Sequence, residues 1–174
     1  YTWRDRETVM DLLETLTGNR VNYSANVLGG VKCDVTDEIS SAIRKGMDFL
    51  EERTRYYLNV VTTDETFLGR TRDVGTMTPE QAVRIGAIGP TARASGLVRD
   101  VRVNAPYAGY VDFPVHIVTA QAGDLLARTI VRVNELFESI RLIRLVLEQL
   151  PPGEISVRMP RRIPEGVTVS RVEA

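Results

Sequence analysis

Six side chains in one irregular stretch carry the chemistry most available to this sequence: Arg93, Ser95, Asp100, Arg102, Tyr107 and Tyr110. They lie in residues 86–110, GAIGPTARASGLVRDVRVNAPYAGY. Arg93 with Ser95 could orient an anionic or redox group. Arg93 could equally pair with Asp100 and hold the loop together, since a buried guanidinium needs such a partner. Tyr107 and Tyr110, three residues apart after Pro106, suit contact with another subunit, because each ring has an apolar body and a polar tip.

The backbone around these residues is unusual. Glycines at 86, 89, 96 and 109 permit sharp turns, and Pro90 and Pro106 fix φ and remove a donor. The stretch is too irregular for one helix or one strand and too rich in small apolar residues to be disordered. It predicts an ordered loop that lines a cleft or meets a partner. Gly86-Ala87-Ile88-Gly89-Pro90 is only superficially a phosphate loop: the Gly-Lys-Ser/Thr ending is missing and no strand precedes it.

Elsewhere the spacing specifies no acid/base dyad, triad or metal set. His116 is the single histidine and lacks a second ligand nearby, so it reads as structural. Cys33 is the single cysteine, which excludes an intrachain disulfide and reads as a small packed residue. Arg128, Arg132, Arg141 and Arg144 sit on one predicted helix; Arg128 and Arg132 share a face, as do Glu138 and Arg141. They read as a salt-bridged polar face, with contact to another subunit as the functional alternative.

The elements that must position these groups follow from apolar periodicity and caps. Val9, Leu12, Leu13 and Leu16 predict a helix over about 4–16, with Thr2 or Asp5 as cap and Gly18 as stop. Short extended segments are expected over 19–35 around Gly29-Gly30. Thr36-Asp37-Glu38 opens a second helix, carrying Ile39, Ile43, Met47 and Leu50, to about Leu58. A short helix is expected near Thr63–Leu68. Thr78-Pro79-Glu80-Gln81 has the residues of a capping box with Pro at the first helical position, and predicts a helix to about Ile85. Phe113–Val118 alternates like a short strand.

Gly123-Asp124 opens what the pattern predicts to be the longest helix, to about Leu150. Leu126, Ile130, Val133, Phe137, Ile140 and Leu147 form its stripe, widened by Leu125, Leu136, Ile143, Val146 and Leu150. Prolines 151, 152, 160 and 164 bar a helix throughout the tail, where Ser156–Arg158 and Val167–Val172 could be strands. The expected fold class is α+β, predominantly helical, a bundle around one long central helix with short peripheral strands. Residues 1–174 are expected to form a single domain.

Composition fits a globular domain able to bury roughly 70% of its unfolded surface. The chain has 174 residues, is 43% hydrophobic and 26% charged, and has a net charge of −1. That charge points to neither nucleic acid nor an anionic membrane. No apolar run is long enough to suggest a membrane span. The start at Tyr1 without Met and the end at Val172-Glu173-Ala174 read as cuts in a longer protein. Cut edges predict exposed apolar surface and possible self-association.

Three segments, GNRVNYSANVLGGVKCD (18–34), IGPTARASGLVRDVRVNAPYAGY (88–110) and GDLLARTIVRVNELFESIRLIRLVLEQLPPG (123–153), in this order resemble the middle of a known family. It comprises the large subunits of membrane-bound, energy-converting [NiFe]-hydrogenases and the homologous quinone-site subunit of respiratory complex I, the NADH dehydrogenase. The specific parts are the GPxxRASG loop and the GDxxxRxxVRxxE helix start. The chain looks more like the Ech-type or carbon-monoxide-induced hydrogenase branch. Val27-Leu28 stands where complex I subunits tend to have Arg-Pro, and the TWRDRE opening looks hydrogenase-like.

The resemblance implies reversible proton reduction coupled to ion translocation, with a nickel–iron centre in the parent and iron–sulfur clusters in a small partner subunit. It also implies membrane subunits as partners and a peripheral place on the cytoplasmic side of the membrane. The family's two Cys-x-x-Cys pairs are absent here, and so is the Pro-Arg-Gly segment expected after Ala174. The chain is therefore expected to be an internal fragment that binds no cofactor and is inactive alone. Two alternatives stand beside the hydrogenase reading: a segment of the complex I quinone-site subunit, and a non-catalytic assembly or binding module on the same scaffold.

Overall fold

The computed structural model describes residues 2–21, 23–160, 162–163 and 165–173. The chain start at Tyr1 and the tail's Pro164 lie outside the described residues. Among the described residues, seven helices and one hairpin follow one another: α1 (Thr2–Thr17), β1 (Asn26–Val27), β2 (Gly30–Val31), α2 (Asp37–Thr63), α3 (Glu65–Thr71), α4 (Pro79–Arg84), α5 (Gly89–Ala94), α6 (Val101–Asn104) and α7 (Leu125–Glu148). A 3₁₀ turn spans Ala108–Val111. The fold is predominantly helical with minimal strand, as the sequence predicts.

The chain divides into two compact units, one of residues 1–50 with 146–168 and the other of 51–145 with 169–174. In the first, α1 ends at Gly18, whose φ of 78° suits a residue without Cβ. Asp5 lies inside the first turn, buried beside the Arg4 Nε at 3.0 Å, and is not the helix cap. Gly46 of α2 packs on α1 so closely that a Cβ would come within 2.5 Å of the Leu12 side chain. The hairpin pairs Asn26 with Val31 and Val27 with Gly30. Its far edge takes one bridge from Ser156, supported by Val31 N–H to Ile155 O at 3.0 Å and Val157 N–H to Gly29 O at 2.9 Å. A Cβ on Gly30 would lie 2.1 Å from that Ile155 oxygen, so only glycine admits the tail here.

The second unit is organised by close approach of small residues. Ala94, Ala127 and Val131 form its core cluster, with Val118 and Ala120 packed against it. The expected α7 stripe is buried at Val133 and Ile140 and half-buried at Leu126, Ile130, Phe137 and Leu147, but the residues expected to widen it diverge: Leu125, Leu136 and Ile143 are exposed, while Ala127, Val131 and Leu142 are buried. Ala94 of α5 packs on Ala127 and Val131 of α7, so the buried side of that contact is made of small residues. The expected helix over 123–150 is Leu125–Glu148, 24 residues, and α2 with 27 is longer. α2 outruns its expected end near Leu58; Asp64 then starts α3, accepting Phe67 N–H at 2.7 Å as its N-cap.

α4 carries the capping box read from its sequence. Thr78 Oγ1 accepts Gln81 N–H at 3.2 Å and Gln81 Oε1 accepts Thr78 N–H at 2.9 Å. The chain leaves α3 and returns to α7 at one narrow place. Asp73 N–H donates to Asp124 Oδ2 at 2.9 Å, Met77 N–H to Gly123 O at 3.1 Å, and Leu125 N–H to Val74 O at 3.0 Å. Gly123 has φ 67°, and a Cβ there would sit 2.2 Å from Met77 O. Asp124 also caps α7 through Ala127 N–H at 2.7 Å.

Two expected strands do not form. Phe113–Val118 and Val167–Val172 have no ladder partner among the described residues. Alternation supplies a side-chain pattern but not the second strand that must satisfy the backbone. In the Ser156–Arg158 segment only Ser156 bridges.

Candidate functional site

The loop over 86–110 folds into α5 and α6 and leads into the 3₁₀ turn, and its charges converge on Arg93. This side chain is 1% exposed, which in water-free surroundings demands compensation. Nε donates to Glu135 Oε1 at 2.7 Å, and Nη1 donates to Glu173 Oε1 at 2.6 Å and to the Arg99 carbonyl at 3.1 Å. Asp100 Oδ2 lies 3.4 Å from the same Nη1. Burial works against the Arg93 charge, but the Glu173 and Glu135 carboxylates outweigh it and raise its pKa.

Asp100 is the second centre. Its carboxylate caps α6 by accepting Arg102 N–H at 2.9 Å, and takes the Arg102 guanidinium in a fork at 2.9 and 2.6 Å. Burial pushes the Asp100 pKa up; Arg102 and Arg93 pull it down further, and the net direction is down. The Arg102 pKa is raised chiefly by that bond to Asp100. The Arg102 guanidinium lies 5.9 Å from the Tyr110 ring centroid. Tyr110 meets Tyr107 edge-to-face at 5.1 Å, and the Tyr107 hydroxyl accepts Glu173 N–H at 3.3 Å.

Five of the six sequence-predicted residues therefore belong to one connected group. Ser95 stands apart: it is fully buried, and its hydroxyl donates to Thr91 O, one helical turn back, at 3.3 Å. Of the two roles open to Arg93, the geometry shows the pairing role with Asp100. Sequence reasoning missed Glu135 and Glu173, which are 42 and 80 residues from Arg93. Glu135 had a signal, because it closes the GDxxxRxxVRxxE pattern; Glu173 had none.

The two specific sequence patterns thus meet. Arg93 of GPxxRASG bonds Glu135 of GDxxxRxxVRxxE. Gly123 N–H, from the start of the second pattern, donates to Ala94 O in the first at 2.9 Å. The profile of the family described as respiratory-chain NADH dehydrogenase, 49 kDa subunit, matches residues 1–172. The chain belongs to that 49 kDa subunit family.

Among curated relatives, the D-type subunit of NADH-quinone oxidoreductase from Dehalococcoides mccartyi is 37% identical over 175 residues, covering 99% of this chain and 48% of that protein. A D-type subunit of the same oxidoreductase from Sinorhizobium medicae is 39% identical over 160 residues, covering 92% and 40%. This chain spans about half the length of the curated relatives it matches. A chain in the solved structure of the membrane-bound sulfane sulfur reductase, an archaeal respiratory membrane complex, is also similar. The match has TM-score 0.82 at 32% identity and covers 91% of this chain and 43% of that one.

Within this 49 kDa-family chain the other candidates have structural partners. Glu138 is buried and accepts the His116 N–H at 2.7 Å and the Arg141 guanidinium at 2.8 and 2.6 Å. Burial raises the Glu138 pKa, and Arg141 and His116 more than reverse it. The His116 imidazole itself is exposed, with Nδ1 3.5 Å from Glu138. Arg144 pairs with Glu51 at 2.5 Å. Arg128 departs from the expected salt-bridged face: it donates to the carbonyls of Gly75 and Gly123 at 2.6 and 2.8 Å.

Cys33 is exposed, not packed as expected, because the short hairpin beside it covers little surface. It borders an open cavity of about 700 Å³ in the first unit, with Leu16, Val31, Val35, Leu147 and Pro151 among the lining. None of the six loop residues lines it. A nickel–iron centre held by two cysteine pairs does not fit this chain, which has one thiol. No helix among the described residues is long and apolar enough to cross a membrane.

Proposed function

We propose that this chain is scaffold of the quinone-site subunit of an NADH:quinone oxidoreductase, within a multisubunit respiratory complex. The observation that carries the reading is the buried Arg93–Glu135 contact, which makes one structural joint out of the two family patterns. The joint braces the loop over 86–110 against α7, so that Tyr107, Tyr110 and Arg102 are held at the surface of that unit. Their role is to face a neighbouring iron–sulfur subunit or the cleft beside it. The curated relatives described above favour this quinone branch, the alternative in the sequence reading, over the hydrogenase branch.

The partners in this reading are a small iron–sulfur subunit and membrane subunits, and the chain lies in the peripheral part of that membrane complex, on the cytoplasmic side. Electron transfer to quinone belongs to the assembled complex, and the chain alone turns over nothing. A second reading has its own support: the similar chain in the sulfane sulfur reductase, together with Val27-Leu28 in place of Arg-Pro. Purified parent complex given NADH and a short-chain quinone analogue decides between them. Quinone-dependent NADH oxidation is the expected result. Reduction of polysulfide or evolution of hydrogen, with the quinone untouched, overturns it.

A further inference from the structure

The cavity beside Cys33 takes no part in the joint around Arg93, and its chemistry is one-sided. It lies wholly within the first unit, lined from residues 16–40 and 147–155. Its floor is apolar, with Leu16, Val35, Leu147 and Ile155, and Val31 and Leu150 remain 37% and 43% exposed on it. Three carboxylates, Asp34, Asp37 and Glu154, stand among the lining residues, and no lysine, arginine or histidine does. All three are exposed, and none has an ion-pair partner among the described residues. The cations closest to them in sequence are committed elsewhere: Lys32 Nζ donates to Ser24 Oγ at 3.1 Å, and Arg44 lies 4.0 Å from Glu148.

Hydrogen-bonding capacity is tilted the same way. Pro151 and Pro152 in the wall have no N–H. The Val31 N–H is taken by Ile155 O at 3.0 Å, the Val35 N–H by Asp34 Oδ1 at 2.8 Å, and the Thr17 hydroxyl donates to Leu13 O at 2.8 Å. Acceptors therefore prevail over donors. A guest carrying an anion would meet repulsion. A lysine on an apolar stretch supplies what the walls lack: positive charge, donors, and a methylene stem to cover the floor. An ammonium, with three donors free to turn, suits carboxylates from three separate points of the chain better than a planar guanidinium built to fork onto one. The start of α2 favours anions at Asp34 and Asp37 in any case; Glu154, after the prolines, has no such reason to be there.

We propose that this cavity is a docking groove for a basic, apolar-flanked segment of a neighbouring subunit, whose lysine is received by Asp34, Asp37 and Glu154. The carboxylates select and steer the segment, and the apolar floor holds it. The proposal rests on the reading of the chain as part of a multisubunit complex. It gives the first unit a subunit contact of its own, independent of the loop over 86–110 in the second.

Cys33 borders the groove and is the one thiol of this chain, so it reports occupancy. In the purified parent complex, maleimide labelling of Cys33 is followed by peptide mass spectrometry, with and without Asp34→Asn and Glu154→Gln together. Slow labelling of the unaltered complex is expected, and labelling about tenfold or more faster in the double variant. Rapid labelling of the unaltered complex overturns the proposal, and so does protection that the double variant leaves unchanged. Zero-length carbodiimide coupling on the unaltered complex does not depend on the variant folding. Coupling of Asp34, Asp37 or Glu154 to a lysine of another subunit is expected; coupling only to lysines of the subunit's own chain, or none at all, overturns the proposal. Neither readout uses NADH or quinone. Failure of the quinone reading would appear in turnover, and failure of the groove in labelling and coupling.

Discussion

Arg20 and Arg93 each gather three carboxylates, and almost nothing else about them is alike. Arg20 bonds Glu7, Asp11 and Glu14 at 2.5, 2.6 and 2.9 Å. Those three stand on α1 at positions one face apart by helical spacing, and Arg20 reaches back to them just past the Gly18 turn. Its side chain is 39% exposed. Arg93 draws Asp100, Glu135 and Glu173 from three separate parts of the chain and is 1% exposed. Equal partner counts therefore describe two different things. On the surface water already solvates the guanidinium, so the carboxylates add little; inside, they are what makes the charge tolerable.

The sharpest way to break that comparison is to delete both arginines in turn. Arg93→Ala leaves Glu135 and Asp100 without their shared cation and is expected to cost about 3–5 kcal/mol, a fall in Tm on the order of 10 °C. Thermal denaturation by circular dichroism measures it. A loss no larger than that of an exposed pair would show that water reaches the cluster and that burial is not the deciding variable.

Acid sharpens the comparison next. The Asp100 carboxyl is held below its ordinary value, burial opposing and Arg102 and Arg93 prevailing. A depressed carboxyl contributes its full stability above the unfolded-state value, roughly pH 4, and loses it as pH falls through the lower native value. Urea midpoints should therefore hold steady from pH 7 to about 4.5 and drop below that. The drop should be smaller in Asp100→Asn, which has no proton to take up there. Identical profiles would remove Asp100 from the account.

The smallest effect is expected for Arg20→Ala, whose Tm should coincide with that of the parent chain within the error of the melt. High salt should likewise leave the parent Tm nearly unmoved, because screening acts on exposed pairs and spares buried ones. A clear destabilisation by either change would mean that the α1 face contributes more than exposed networks generally do.

The same contrast explains what could be read from sequence. α4 was legible down to its capping box, because Thr78 and Gln81 satisfy each other within one turn. The helices α1, α2 and α7 were legible as periodic segments, with ends displaced by a few residues. The face of α7 was legible in part: Val133 and Ile140 of the expected stripe are buried, but Ala127 and Val131 were not read as core, because they pack on Ala94, a small residue more than thirty positions earlier. Phe113–Val118 misled for the same reason in reverse: a local alternation had no distant strand to meet. Arg93 and Asp100 were near enough in sequence for their pairing to be an open option. Glu135 was visible only through a family pattern, and Glu173, far along the chain, only in three dimensions.

The narrow place where Asp73, Val74 and Met77 meet Gly123, Asp124 and Leu125 has a consequence for how this chain can vary. Asp73 and the Asp124 that accepts its N–H are 51 residues apart, so everything between them is a closed excursion whose two ends are fixed to one another. The entropy of closing such a loop rises only logarithmically with its length, about 0.6 kcal/mol for each doubling. Residues could be added to or removed from the exposed part of the excursion around Gly86 at little thermodynamic cost, provided the neck and its glycine stay intact. The neck acts as a port at which a segment of variable length can be carried on an invariant frame.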